Sequence, residues 1–281
     1  MSNQIHPTAL IAEGAQLAHG VCIGAYSVIG SDVVLKNNVK VHSHVVIEGH
    51  TTIGAHTEVF PFAVLGLAPQ SIHYQGEPTS LHIGENCIIR EHATIHRGTI
   101  KGGTKTTIGN NCYIMIGAHI GHDCHIGNFV TMANNATLGG HVTVGDYTNI
   151  GGLAAVHQFV RIGAYAMISG TAGVNEDVMP FGTVMAMRAK LGGLNLIGMK
   201  RHGFVREDIH GLRNAYKLLS KDQEGNFEER LNKVRTFYGT GKAVMDLLSF
   251  IEADPKRPLC LPSEDWDFEM DEEELPLART A

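Results

Sequence analysis

An aliphatic side chain recurs at every sixth position through the first part of the chain: Ile5, Ile11, Leu17, Ile23, Ile29, Leu35, Val41, Ile47, Ile53, Val59 and Leu65. The series resumes at Ile83, Ile89 and Ile95, then runs from Ile108 through Ile120, Leu138 and Val156 to Val174. Neither a 3.6-residue helix nor an alternating strand has this period. Four residues after each aliphatic stands something small or β-branched, as at Ala9, Val21, Ser27, Val33, Cys112, Ala118, Cys124 and Val130. Two inward positions in six, one large and one small, mark a parallel β-helix, in which each short strand is one side of a triangular coil that needs its neighbours to bury it. Three sides of six residues make a coil of 18, so residues 18 apart lie above one another at the strand spacing of about 4.8 Å. Glycines directly after the aliphatic, such as Gly24, Gly30, Gly54, Gly121 and Gly139, suit the corners, where a positive φ or close backbone approach is expected.

Two stretches break the period and are read as loops leaving the prism: residues 66–80 (GLAPQSIHYQGEPTS), and residues 96–107 (HRGTIKGGTKTT), which are glycine-rich and basic. Rigid scaffolds commonly carry function on such excursions. Beyond Val174 the pattern fades through Pro180 and Gly182 and gives way to helical spacing. Ile209, Leu212, Tyr216 and Leu219 share one stripe, Leu231, Val234 and Tyr238 a second, and Val244, Leu247, Leu248 and Ile251 a third. The chain therefore divides into an all-β prism over 1–190, a small α-helical C-terminal domain over 191–255, and an acidic tail over 256–281 read as disordered.

Composition narrows the class. Of 281 residues 33 are glycine and only 18% are charged, which excludes a coiled coil and a disordered chain. No apolar run approaches the roughly 18 residues of a membrane span, so the protein is not expected to be membrane-embedded. MSNQIHPTAL has neither a basic flank nor an apolar signal core, and Cys22, Cys87, Cys112, Cys124 and Cys260 form no CxxC pair; both features lead to the expectation of a cytoplasmic protein without disulfides or a cysteine-built zinc site. The net charge of −6 conceals a tail from Glu264 to Glu274 that alone carries eight acidic residues. Residues 185–253 hold twelve Lys and Arg against eight Asp and Glu, an excess that fits an acidic protein partner but not nucleic acid.

Chemistry concentrates at Ala118–Cys124 (AHIGHDC), His141 and His157. Ile120, Leu138 and Val156 are 18 apart, so His122 and Gly140, each two residues later, are expected to be stacked neighbours. A general base needs a nucleophile in reach and an oxyanion donor beyond the reacting carbon, and a glycine N–H one coil away fits the second role. Asp123 is a candidate to orient the imidazole, although adjacent side chains on a strand diverge.

The segments GEPT (76–79), TIHRGT (94–99), AHIGHD (118–123), ANNA (133–136), GHV (140–142), VHQF (156–159), KRHGF (200–204) and RNAYKL (213–218) resemble the UDP-N-acetylglucosamine O-acyltransferases, in the same order across roughly residues 5 to 220. These enzymes catalyse the first step of lipid A biosynthesis. The resemblance implies left-handed β-helices joined as a homotrimer with sites in the clefts between subunits, and transfer of a 3-hydroxyacyl chain from acyl carrier protein to a UDP-sugar, without cofactor or metal. Carried over position by position, it makes His122 the catalytic base, Asp123 its orienting carboxylate and Gly140 the oxyanion donor. His119, His141, His157 and Gln158 match residues lining the acceptor and acyl site, Gln70 a sugar-nucleotide contact, Arg201 a phosphate-binding arginine and Asn195 a further nucleotide contact. Gly170 matches the position that limits acyl-chain depth, which implies a long chain such as 3-hydroxymyristoyl. Arg206, Arg213, Lys217 and Lys221 form the expected docking surface for the carrier protein.

Ser71, His73 and Ile197 depart from the family's usual aspartate, lysine and glutamate. Ser71 and His73 raise the possibility of an acceptor bearing a 3-amino group, because a carboxylate beside an amine would favour the unreactive ammonium whereas serine would not. The same fold also admits an acetyl-CoA-dependent sugar acetyltransferase, a zinc hydratase using His119, His122 and His141, and a scaffold without activity.

Overall fold

Strands of only two residues cannot stand alone, and here they do not. In the computed structural model, which describes residues 2–187, 189–220, 224–254 and 257–261, they stack with a few longer strands into three sheets of eleven, nine and eight strands, parallel except for one antiparallel pair at the end of the eleven-stranded sheet. These are the sides of a left-handed parallel β-helix. Register follows the expected step of 18, with Ile5 on Ile23, Ile11 on Ile29 and Leu17 on Leu35. Coils that carry an excursion skip it and keep the pairing, so Val59 sits on Ile89 and Ile89 on Ile114.

The core is the column of inward side chains. Ile29, Leu35, Ile47, Leu65, Ile95, Ile114, Ile120 and Leu138 are fully buried, and so are the small residues between them, Val33, Val39, Ala118, Cys124 and Val130. Backbone N–H groups donate to the coil above, for example Gly24 to Val41 O at 2.8 Å and Gly121 to Leu138 O at 3.0 Å. No helix among the described residues is long and apolar enough to cross a membrane.

The corner glycines turn out to serve space rather than φ. A Cβ built on Gly24 would lie 2.6 Å from Ser43 N, and one on Gly121 2.9 Å from Gly140 N, with neither residue at positive φ. Left-handed backbone falls three residues after the aliphatic instead, at Asn38, His44, Asp123, Phe129, His141 and Tyr147, all with φ between 57° and 63°. Ring stacking between successive coils accompanies that conformation, as at Phe129 on Tyr147 (4.7 Å between centroids) and Tyr147 on Tyr165 (4.9 Å).

At the C-terminal end of the prism, Gly182–Met185 pairs parallel to Met167–Ile168 and then antiparallel to Lys190–Leu194. Among the described residues four helices follow: α1 (Leu196–Arg201), α2 (Arg206–Leu219), α3 (Phe227–Tyr238) and α4 (Lys242–Ala253). Asn226 and Glu229 form a capping box on α3, and the apolar stripes of α2, α3 and α4 bury Leu212, Tyr216, Leu231, Val234, Leu247 and Ile251.

One expectation needs correction. Residues 257–261 belong to the segment read as a disordered tail, but they pack back onto the prism, where Leu259 bridges Asp177 and Cys260 is buried. Backbone bonds from Asp177 N to Pro258 O (2.9 Å) and from Cys260 N to Asp177 O (2.7 Å) hold the segment, and the fully buried Asp177 carboxylate is paired with both Arg161 Nε (2.7 Å) and Arg257 Nε (2.8 Å), as a buried charge needs partners. Residues 262–281, with the acidic run, lie outside the described residues.

Candidate active site

Ile120 ends its strand, Gly121 gives room for the next coil, and the chain then turns through His122 and Asp123. Because Asp123 stands at φ 60°, its side chain does not diverge from that of His122 as consecutive strand residues would. It is buried beneath the second loop, and its Oδ2 lies 2.7 Å from His122 Nδ1. The carboxylate also accepts from the second loop, from Thr99 N to Oδ1 and from Thr99 Oγ1 to Oδ2, both at 2.7 Å. Asp123 N donates to Thr106 Oγ1 at 2.9 Å. A carboxylate fixed in this way is set to hold the imidazole by Nδ1–H and leave Nε2 for chemistry.

Gly140 lies against the imidazole as expected. A Cβ there would fall 2.6 Å from His122 Cε1 and 2.8 Å from Nε2, so only glycine lets the ring lie over this backbone. The coil ladder uses the N–H groups on either side, Gly139 to Val156 O and His141 to His122 O, and gives that of Gly140 no carbonyl. Among the described residues no hydrogen bond engages that N–H.

Neutral rings surround the pair. His141 packs edge-on to His122 (5.0 Å) and stacks on Phe159 (4.3 Å). His119 is held by Thr94 Oγ1 at 2.8 Å and faces His96 edge-on at 5.3 Å. Burial pushes His96 down to about 4, helped by the nearby His119 and His122. It lowers His119, with His122 adding to the effect, and lowers His141 too, where Asp123 opposes it. An imidazole that stays neutral beside the base adds no competing positive charge.

The remaining candidates fall into separate groups. Gln70 and His73 are exposed and Ser71 half-buried in the first loop, where His73 N donates to Ser71 Oγ at 3.4 Å. That loop leaves the prism beside the second one, since Leu67 pairs with His96 and Arg97 Nη2 donates to Tyr74 OH at 3.0 Å. His157 and Gln158 are exposed one coil beyond Gly140. Asn195 caps α1, accepting from Gly198 N and donating to Tyr165 O; with Ile197 and Arg201 it lines a groove of about 580 Å³ against the eleven-stranded sheet. Gly170 follows a strand of that same sheet, Met167–Ile168, whereas His122 follows one of the nine-stranded sheet, so the two occupy different corners of the triangle. Arg206 and Lys217 are exposed and Arg213 half-buried on α2, while Lys221 lies outside the described residues.

Thr99, Gly102, Thr106 and His96 were not singled out from the sequence. The break in the six-residue period over 96–107 and the place of TIHRGT (94–99) in the resemblance mark this stretch but not its destination. Among the described residues His122, Asp123 and His141 have ligand atoms close enough to hold a metal ion, all within 4.8 Å of one another. The fit is poor: Asp123 Oδ2 already accepts from His122 and Thr99, and His119, which a zinc hydratase would need, is turned to Thr94.

Comparison with known proteins converges. Residues 177–260 match the family model described as UDP N-acetylglucosamine O-acyltransferase, domain 2, and residues 105–140 match the bacterial transferase hexapeptide model. The chain is 52% identical over 259 residues to a protein of Azorhizobium caulinodans named acyl-[acyl-carrier-protein]--UDP-N-acetylglucosamine O-acyltransferase, covering 92% of this chain and 95% of that one. A protein of the same name from Bartonella quintana is 48% identical, over 92% of this chain and 94% of its own. Among solved structures, the UDP-N-acetylglucosamine acyltransferase of Campylobacter jejuni is 39% identical with a TM-score of 0.84, covering 92% of this chain and 99% of that one. That of Francisella novicida is 35% identical with a TM-score of 0.88, over 93% and 95%.

Proposed function

The chain belongs to the UDP-N-acetylglucosamine O-acyltransferase family, and from that premise we propose that it transfers a 3-hydroxyacyl chain from acyl carrier protein to the 3-hydroxyl of UDP-N-acetylglucosamine. The observation that carries the reading is the buried Asp123 carboxylate 2.7 Å from His122 Nδ1, with Gly140 against the same ring and its N–H outside the coil ladder. With Nδ1–H held by Asp123, His122 Nε2 takes the proton from the sugar 3-hydroxyl as its oxygen attacks the thioester carbon. The tetrahedral oxyanion accepts from Gly140 N–H. The C–S bond then breaks, and the imidazolium returns the proton to the leaving thiolate of the carrier.

A neighbouring copy completes the site in this reading. The dyad and the first loop, with Gln70, Ser71 and His73, share one corner of the prism, whereas Gly170 and the Asn195–Arg201 groove lie along another sheet. A nucleotide and acyl chain reaching both sets bind between subunits of a homotrimer, with His119, His141, His157 and Gln158 lining the acceptor and acyl path. Arg206, Arg213 and Lys217 on α2 meet the acidic carrier protein. Gly170 has no side chain to stop the acyl chain, consistent with a long donor. Both substrates place the reaction in the cytoplasm.

The 3-amino acceptor rests on the departures at Ser71 and His73 alone and is not favoured. The relatives named above are O-acyltransferases, and in this chain the Ser71 hydroxyl pairs with the backbone of its own loop. The test is incubation of the purified protein with 3-hydroxyacyl carrier proteins and UDP-N-acetylglucosamine or its 3-amino analogue, with product masses read directly. An ester as the main product is expected. Preferential amide formation, or turnover with acetyl-CoA but not with the carrier protein, would overturn the reading.

A further inference from the structure

We propose that Thr99, on the second loop, is a positioning residue for the reaction: it fixes Asp123 and, through Asp123, the tautomer and direction of His122. The proposal rests on His122 being the general base. Thr99 reaches both carboxylate oxygens, N–H to Oδ1 and Oγ1–H to Oδ2 at 2.7 Å each. A carboxylate held at one oxygen only can rotate about its Cβ–Cγ bond, presenting either oxygen or neither to the imidazole. Held at both, it presents Oδ2 to Nδ1.

The loop is built for this contact. Thr99 O accepts from Gly102 N at 3.2 Å and from Thr104 N at 2.8 Å, closing a tight turn over the carboxylate. Gly102 sits so close that a Cβ would lie 2.0 Å from Asp123 Cγ. Its backbone is not in the left-handed region, so the absence of a side chain there is a matter of space alone. At its start the loop is tied down by Arg97, whose N–H donates to Leu67 O at 3.2 Å and whose guanidinium meets Tyr74 OH. The dyad is therefore assembled from two parts of the chain: the prism corner supplies His122 and Asp123, and the excursion supplies the clamp.

Thr99→Val removes the hydroxyl donor at nearly constant shape, and Thr99→Ser keeps it. Thr99→Val should lower kcat about tenfold or more, the worth of one hydrogen bond to a charged group, while KM for both substrates stays within about threefold. Thr99→Ser should recover most of the loss. Gly102→Ala should reproduce the defect by displacing the carboxylate. The readout that separates positioning from mere stability is the tautomer of His122, followed by 15N NMR of histidine-labelled protein with the signal assigned by its loss in His122→Ala. The parent and Thr99→Ser should show a single Nδ1–H tautomer, and Thr99→Val a mixture. Oligomer mass and thermal unfolding report any variant that fails to fold. A Thr99→Val enzyme with parental kcat, or one whose His122 keeps the parental tautomer despite a lower kcat, overturns the clamp. If His122→Ala itself keeps turnover, the base assignment falls instead, so the two failures are distinguishable.

Discussion

Two corners of one prism share a backbone and differ in chemistry. Gly121, His122 and Asp123 follow Ile120, and Gly127, Asn128 and Phe129 follow Ile126, six residues on. The left-handed residue has φ 60° at the first corner and 57° at the second. At the second it is a ring, 45% exposed and stacked on Tyr147. At the first it is a carboxylate, 2% exposed. The second loop makes that difference, closing over Asp123 with Thr99 and Gly102. The repeat thus supplies a precise place, and the excursion supplies the burial and hydrogen bonds that set Asp123 apart there.

The largest expected effect breaks the symmetry of the two corners. His122→Ala should lose about 10² to 10⁴ in turnover, the usual worth of a general base, with oligomer mass unchanged. Phe129→Ala, at the matching corner, should stay within about twofold. Steady-state kinetics on both variants check this, and comparable losses would mean that the corners are not distinct in function.

The difference between the corners also explains what was legible. An inward residue in a stacked coil has its environment set by register, so Ile120 and Leu138 could be placed from their spacing alone, and with them His122 beside Gly140. Asp123 was harder, because alternation says that neighbouring side chains part, and only its left-handed φ brings it onto His122. Thr99 was out of reach: the loop that carries it follows no period, and its target lies 24 residues further along the chain. The return of residues 257–261 was hidden for the same reason. Nothing near Cys260 in sequence signals that Asp177 needs a second guanidinium.

A second comparison sets the column of the core against the ladder on the surface. Leu138 lies between Ile120 and Val156 and is fully buried. Leu138→Ala should cost about 2–5 kcal/mol, transfer and cavity together. Phe129→Ala, losing an exposed stacked ring, should cost about 1 kcal/mol or less. Urea unfolding of both variants measures the contrast; equal midpoints would show that the ring ladder carries as much stability as the core.

Protonation separates the corners next. Burial holds His96, beside the dyad, down to about 4, whereas an unfolded histidine titrates near 6.5. Between those values the unfolded chain binds more protons than the folded one, so the contribution is intact above about 6.5 and is lost as pH falls toward 4. The loss should be on the order of 2 kcal/mol, since part of the ring reaches solvent. His119 and His141 are lowered as well and add loss of the same sign. His96→Asn should therefore flatten the difference in urea midpoint between pH 4.5 and 7.5 without abolishing it. A variant with the full parental pH dependence would show that this ring is not the group responsible.

The smallest effect lies away from both corners, on α2. If carrier protein is steered to Arg206, Arg213 and Lys217, the attraction acts through solvent and weakens as salt shortens the Debye length below about 8 Å. Turnover at subsaturating donor should fall several-fold from low salt to a few tenths molar, while turnover at saturating donor changes little, because steering alters encounter rather than chemistry. Arg213→Glu should lower the low-salt rate and flatten the salt dependence. The tail complicates the balance, since its eight acidic residues between Glu264 and Glu274 carry the same sign as the donor, so removing residues 262–281 should raise the low-salt rate if the tail competes for α2 and leave it unchanged otherwise. A salt response that is the same in the parent and in Arg213→Glu would move the docking surface off α2, leaving the chemistry at His122 untouched.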